Sequence, residues 1–378
     1  MTRRYDKFCG FAAVMGITAI FVDVASDHPA TGIFSIAIYW GSLALLIATA
    51  LWYAWSGVQS TSGGINLLAV SAIGVSVALN LLYSYDFAGQ APLSFWLYIF
   101  AIWALVWRGI DRLAWFKTFD VGLQRTINIV IPVLFGLWLI FLWEVIVAAF
   151  EVPHVLLPPP SSIAVRFANS LDILRADFYQ TFMKAVLAGY VLGCGSGFVV
   201  AILVDRVPFL QRGLLPLGNL VSALPIVGVA PIMVMWFGFD WQSKAAVVVV
   251  MTFFPMLVNT VTGLSEAGAL EKDLMRSYGA NYWQNLLKLR LPASLPFVFN
   301  ALKINSTLAM IGAIVAEFFG TPIVGMGFRI STEVGRMNVD MVWAEIVVAA
   351  VAGSAFYGVM ALLERKFTFW HASYRQTR

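Results

Sequence analysis

The chain has 378 residues, 60% of them hydrophobic and only 12% charged, with a formal net charge of +4 and a mean hydropathy of +0.83. Soluble domains carry about 25% charged residues, so too little polar surface exists here to coat a water-soluble globule, and the chain reads as a polytopic membrane protein. Its basic balance is explained by lysine and arginine retained on the cytoplasmic side of a bilayer, and no nucleic-acid partner is expected.

A helix needs about 20 residues to cross the hydrocarbon layer, and the apolar runs read as about ten spans. They fall at residues 8–24, 33–55, 65–85, 92–107, 128–150, 183–204, 213–237, 245–264, 296–319 and 342–363. The first run follows a basic start, "MTRRYDKFCGFAAVMGITAIFVDV", and so imitates a signal peptide. Further apolar runs follow at once and no small-x-small cleavage site is evident, so a transmembrane helix is expected there. Residues 1–107 hold four helices without a chemical motif. Residues 108–125, "RGIDRLAWFKTFDVGLQR", read as an amphipathic interfacial connector with Trp115 and Phe116 among cations. Residues 126–378 hold the other six spans and a polar loop at 265–292.

Cations mark the orientation. They gather before the first span (Arg3, Arg4, Lys7), after the fourth (Arg108, Arg112, Lys117, Arg125) and after the sixth (Arg206, Arg212). They gather again after the eighth (Lys272, Arg276, Lys288, Arg290) and the tenth (Arg365, Lys366, Arg375, Arg378). The positive-inside rule then places both termini and the 265–292 loop in the cytoplasm.

Inside the spans the chemistry is sparse. Glu317 in "VAEFFG" has two readings: it faces a path or latches a gate, or it caps the glycine-rich segment behind it or pairs with Arg329. Glu144, beside Trp143, reads as interfacial or paired between helices. Pro225 and Pro231 interrupt the seventh span; proline removes a helix donor, which a bilayer tolerates at a packing kink or beside a cavity. Asn219, Ser222, Asn259, Asn305 and Ser306 are candidates to line a path, each with helix–helix hydrogen bonding as its alternative. Gly189, Gly193 and Gly197 recur every four residues, a spacing that lets a second helix approach closely, within the chain or across a dimer. Cys9 and Cys194 form neither a disulfide framework nor a metal site. His28, His154 and His371 are scattered outside the spans, so no catalytic constellation or metal site is expected.

The polar loop contains "DLMRSYGANYWQNLLKLRLP" at 273–292. Gly279 permits a left-handed stop after a short helix, and Pro292 opens the segment leading into the next span. The expected shape is helix, tight turn, helix. Two readings stand on composition: a docking knob whose Tyr278, Tyr282 and Trp283 enter a partner's pocket while Arg276 and Lys288 meet its acids, or an interfacial loop whose aromatics lie among headgroups.

The same stretch resembles the EAA loop of binding-protein-dependent ABC importer permeases, E-A-A-x3-G-x9-I-x-L-P. Asp273 stands for the acid, Gly279 for the glycine and Leu289 for the isoleucine, followed by Leu291 and Pro292; Leu274 and Met275 depart from the family's alanines. "LLPPPSSIAVRF" (156–167), "ALPIVGVAPIMVMWFGF" (223–239) and "IGAIVAEFFGTPIVGMGF" (311–328) are similar, in that order, to segments of the nitrate/sulfonate/taurine branch, which also includes pyrimidine-precursor and riboflavin permeases. The resemblance implies an all-α MetI-like (type I importer) six-helix core, covering roughly residues 126–370 and preceded by four extra helices. It implies that the loop couples to a cytoplasmic ABC ATPase dimer, which binds ATP and Mg. The other implied partners are a second permease copy or sister permease, a periplasmic solute-binding protein and the inner-membrane bilayer. The chain itself has no G-x4-G-K-[ST] phosphate loop, so it is expected to hold no cofactor and to hydrolyse nothing. The competing readings are an ion-coupled secondary transporter or channel, which predicts inverted repeats and paired mid-membrane charges, and a membrane enzyme. The few fixed charges in the spans suggest a small, weakly charged or neutral polar solute, and the resemblance implies one that is sulfonate/taurine/nitrate-like or pyrimidine-like.

Overall fold

The computed structural model describes residues 6–25, 33–58, 61–84, 89, 91–117, 120–222, 224–320 and 323–370. Among them every regular element is a helix. Helices α1 (Lys7–Ala25), α2 (Ile33–Ser56), α3 (Thr61–Ser84), α4 (Leu93–Ala114) and α5 (Val121–Ala149) come first, then the short α6 (Pro160–Asn169). Next, α7 (Leu171–Phe178) passes through a π-helical stretch, Tyr179–Val186, into α8 (Leu187–Arg206). After these come α9 (Pro208–Ser222), α10 (Ile226–Phe237), α11 (Trp241–Ser265) and α12 (Ala269–Ser277). The last helices are α13 (Tyr282–Asn285), a π turn at Leu286–Arg290, α14 (Leu291–Glu317), α15 (Met326–Gly335) and α16 (Val339–Phe367). Among the described residues eight helical runs are long and apolar enough to cross a membrane, and Lys7–Val22 and Ile226–Phe237 are shorter apolar helices.

By their contacts the residues fall into two compact units, Met1–Ser162 and Ile163–Arg378. The first is a bundle of α1 to α5 whose core joins Cys9, Leu43, Leu67, Tyr98, Ile102 and Val145. Several of its buried polar groups are paired, which offsets the cost of removing them from water. The hydroxyls of Ser42 and Tyr98 exchange a 2.8 Å hydrogen bond, and the Arg108 guanidinium meets Asp6 at 2.5 Å. Glu144 is a junction between elements: its carboxylate accepts from the Tyr83 hydroxyl, from the Ser161 N–H at 2.9 Å and from the Ser161 hydroxyl at 2.6 Å. The stretch 108–125 is not a separate connector helix; 108–114 finish α4, and α5 opens at Val121 behind Asp120, whose side chain accepts from Gly122 and Leu123. The contact boundary falls after Ser162, later than the 107 and 125 boundaries read from sequence, because α5 packs on α3 and α4.

The second unit is organised on α8, α11 and α14. Tyr190, Cys194, Met256, Val298, Met310 and Phe356 are among its core residues. The glycine ladder of α8 lies directly against α11. A Cβ on Gly189 would stand 2.6 Å from the Ala245 carbonyl, on Gly193 2.0 Å from the Thr252 hydroxyl, and on Gly197 2.5 Å from the Phe253 carbonyl. The spacing therefore serves helix packing within the chain.

The seventh apolar run, 213–237, is not one continuous helix. Pro225 lacks an N–H and disfavours helical geometry at the residue before it; α9 accordingly stops at Ser222, and Pro225 becomes the N-cap of α10. Pro231 lies inside α10, and a further proline, Pro216, inside α9.

Candidate functional site

At one end of the second unit α11, α12, α13 and α14 form the polar loop. α12 buries none of its residues. It stops in a left-handed turn: Gly279 has φ +69, and the N–H groups of Gly279 and Ala280 reach back to the carbonyls of Arg276 and Met275 at 2.9 and 3.0 Å. Asn281 then starts α13 through a reciprocal capping box with Gln284, which satisfies two otherwise orphaned donors. The turn chemistry explains why 273–285 form a knob with a defined exit angle.

The base of the knob is fastened. Arg290, in the π turn, grips Asp205 at the end of α8 with two nitrogens at 2.5 and 2.8 Å, and its Nε donates to the Leu264 carbonyl at 2.9 Å. The Tyr282 hydroxyl donates to the same Asp205 carboxylate at 2.9 Å. Arg206 lies over the rings of Tyr282 and Trp283 at 5.6 and 5.8 Å. Tyr282 thus holds the knob from within the chain, whereas Tyr278 is 80% exposed, with Leu270 and Leu274 exposed on the same short helix. Arg276 meets Asp273 at 3.3 Å on the exposed face, a pairing that contributes little, and Lys288 is exposed. Leu289, Leu291 and Pro292 are half-buried where the knob enters α14.

At the opposite end of α14 a buried polar cluster joins four elements. Glu317 is 1% exposed and does not face an open path. Its carboxylate accepts from the Thr181 hydroxyl at 2.7 Å and from the Gly327 N–H at 2.7 Å, so it caps the start of α15. Arg329 pairs with Asp177 at 2.9 Å rather than with Glu317, and Asp177 also accepts from the Gly325 N–H at 2.6 Å. Burial opposes the charge on Arg329; the bond to Asp177 more than offsets it and holds the guanidinium above its ordinary range. Beside this cluster Lys244, 1% exposed in the first turn of α11, donates to the carbonyls of Phe239 and Gly320. A lysine at the centre of a membrane helix costs about 2.5–3.5 kcal/mol on insertion scales, less toward an interface. Partial burial works against the charge of Asp240, but the Trp241 N–H, the Gln180 amide and the nearby lysines hold its carboxyl below the usual range.

The other path candidates separate. Asn305 and Ser306 are fully buried and line no open path: Asn305 donates to the Thr252 carbonyl at 2.8 Å and the Cys194 sulfur at 3.2 Å, tying α14 to α11 and α8. Ser306 donates to the Lys303 carbonyl in its own helix at 2.7 Å. Asn259 is half-buried and bonds the Pro255 carbonyl at 2.8 Å. The side chains of Asn219 and Ser222 lie outside the described residues. An apolar cavity of about 120 Å³ sits at the α9–α10 break, lined by Leu224, Ile226, Val229, Met251 and Leu308 among others. Sequence reasoning missed Asp205, Asp177, Thr181 and Lys244. A lone acid at the end of an apolar run, "LVDR", and a lone lysine at the start of another, "WQSKAAVVVV", were the available signals.

Long apolar helices packed on α8, α11 and α14, with a stiff polar knob anchored at one end, suit a membrane transport permease. The chain belongs to the family of the binding-protein-dependent transport system inner membrane component, whose sequence model matches residues 185–369. It is similar to the formylaminopyrimidine transport permease protein ThiX of Halalkalibacterium halodurans, at 31% identity over 66% of this chain and 98% of that one. It is similar also to the riboflavin transport system permease protein RibX of Chloroflexus aurantiacus, at 30% identity over 64% and 90% of the two chains. The taurine transport system permease protein TauC of Escherichia coli is 25% identical over 69% and 94%. Family members are non-catalytic transmembrane subunits of ABC transporters; the ATPase is a separate subunit, and a solute-binding protein is a further partner.

Proposed function

We propose that this chain is the permease subunit of an ABC importer that moves a small organic solute, sulfonate/taurine/nitrate-like or pyrimidine-like, into the cytoplasm. One observation carries the reading: a helix with no buried residue projects from the bundle, yet its base is fixed by the buried Arg290–Asp205 pair. A surface held that rigidly and left uncovered is suited to receive force from a second protein. In this reading an ABC ATPase dimer seats on residues 265–292, with Tyr278 and Trp283 as anchors and Arg276 and Lys288 meeting acids. Two permease copies, or this chain and a sister, enclose one path, and the solute-binding protein docks on the Glu317 side. About ten crossings with both termini cytoplasmic agree with the cation distribution, and the helices of 1–107 are an extension to the transporting core. The apolar side chains that line the cavity at the α9–α10 break support a neutral or weakly charged solute.

The test is purification of the tagged chain with its bound proteins, followed by ATP-driven uptake in vesicles of radiolabelled formylaminopyrimidine, riboflavin and taurine. Copurification of an ATPase that Gly279→Asp abolishes is the expected result. Uptake that continues with a catalytically dead ATPase overturns the reading in favour of an ion-coupled transporter.

A further inference from the structure

Lys244 is a buried cation whose acceptors are backbone, not carboxylate. Its ammonium donates to the Phe239 carbonyl at 2.7 Å, to the Gly320 carbonyl, and more weakly to the Ser243 hydroxyl at 3.3 Å. Phe239 and Gly320 belong to links rather than to helices. Phe239 follows Gly238, φ +83, in the short link from α10 to α11, and Gly320, φ +143, follows the end of α14. The links are also in steric contact: a Cβ on Gly320 would stand 2.7 Å from the Phe239 ring and 3.5 Å from Val234 of α10. One ammonium therefore joins the end of α10, the start of α11 and the end of α14. An ammonium in a low-dielectric site needs its acceptors, and two carbonyls already turned out of helical bonding supply them.

What converges there is mechanically unequal. α14 runs unbroken from Leu291 to Glu317, 27 residues, about 40 Å at 1.5 Å per residue. It starts directly at Arg290, the residue that anchors the knob. α10 has only 12 residues, is preceded by a break in the chain's helical course, and leaves Met235 83% and Trp236 70% exposed. A rod that starts at the knob thus ends on a short helix with an exposed apolar face, through the Lys244 ammonium and through the packing of Ala316 against Ala230.

We infer that Lys244 is a positioning residue that passes a displacement of α14, set at the knob, to the exposed face of α10 at the far end of the unit. The inference rests on the coupling role proposed above for residues 265–292. Glu317 holds α15 to the same rod through Gly327 and Thr181, but it does not reach α10; Lys244 does, through Phe239. Losing the lysine therefore leaves the rod and its apolar packing on α10 in place and removes the polar tie between the two links.

The experiment uses the full permease–ATPase complex in vesicles, with a reporter cysteine at Met235→Cys; the native Cys9 and Cys194 are buried. Two quantities are read: basal ATP hydrolysis, and labelling of the reporter by an impermeant maleimide with and without vanadate-trapped nucleotide. With Lys244 present, trapping is expected to change the labelling rate about tenfold, the size of an ordinary coupling between sites. Lys244→Met, which keeps the stem and removes the charge, is expected to retain ATP hydrolysis while the vanadate-dependent change disappears; Lys244→Arg restores it. Labelling that still follows the nucleotide in Lys244→Met overturns the inference. So does loss of assembly and hydrolysis in both the Met and Arg variants, which marks the lysine as a packing element only. Where Lys244→Met alone does not assemble, Gly320→Ala drives a Cβ into the Phe239 ring and breaks the joint with the lysine in place; nucleotide-dependent labelling in that variant overturns the inference equally. A wild-type complex that retains no ATPase overturns the functional reading itself, and the joint with it.

Discussion

Arg290 holds Asp205 in a two-point grip across 85 residues of sequence, with nitrogen–oxygen distances of 2.5 and 2.8 Å. The pair is mostly buried, at 16% and 10% side-chain exposure, and it joins the end of α8 to the turn that launches α14. Removing one member of a buried pair leaves an uncompensated charge, which destabilises by about 3–5 kcal/mol. Asp205→Asn and Arg290→Met are therefore each expected to lower the melting temperature in detergent and to weaken ATPase retention. The double variant should recover part of the melting temperature, because no charge is left buried alone, but not the retention. A double variant no better than the sum of the singles would show that the grip is not the relevant interaction.

Gly279 separates conformation from packing. Its φ of +69 lies in the left-handed region, where a side chain costs about 1–2 kcal/mol, yet nothing stands within 4 Å of an added Cβ. Gly279→Ala and Gly279→Asp should insert normally and keep the bundle's stability. Gly279→Asp is expected to lose ATPase association, while Gly279→Asn, which tolerates this backbone, should retain most of it. Pro292→Ala is expected to behave as Gly279→Asp does, inserted but uncoupled. Pull-down of the ATPase from equal amounts of purified membrane protein checks the set.

For the glycine ladder the expected effect is on stability alone. Gly193→Val places a branched side chain where a Cβ already stands 2.0 Å from the Thr252 hydroxyl and 3.0 Å from the Val249 backbone. Overpacking of this kind destabilises by about 1–3 kcal/mol or more. Gly195→Ala, two residues along on another face of α8 with open space around it, is the matched control and should melt as the wild type does. Equal melting temperatures for the two variants would refute the α8–α11 packing.

Glu317 offers a choice between charge and shape. If its work is to cap the Gly327 N–H and meet the Thr181 hydroxyl, Glu317→Gln keeps an acceptor for the amide and loses little. Glu317→Ala leaves a buried N–H without a partner, at about 1–3 kcal/mol, and should fall in both stability and transport. Equal, severe loss in the Gln and Ala variants, measured by thermal melting and ATP-driven uptake, would show instead that the negative charge is required.

Legibility in the sequence followed the range of the interaction. The helix–turn–helix course was readable because Gly279 and Pro292 act on backbone within a few residues; the Asn281–Gln284 capping box, equally local, went unread. The glycine ladder was readable as a close approach, but which helix approached it was not. Asn305 and Ser306 looked like path residues because they are polar and in a span; whether such a side chain meets solvent or Cys194 and Thr252 depends on how α8, α11 and α14 pack. Arg329 was a natural partner for Glu317 by proximity in sequence, and the fold gave it to Asp177 instead, 152 residues away.

From the sequence alone came the membrane character, the helical class, the long apolar runs and the polar loop, since composition, period and spacing depend only on neighbours along the chain. Only the tertiary structure decided which polar groups meet: Asp205 with Arg290, Thr181 with Glu317, Lys244 with the distant Gly320 carbonyl. The physical reason is that a buried ion must find its partner in space, and in a bundle of nearly interchangeable apolar helices many pairings satisfy the same hydropathy pattern, while packing permits one.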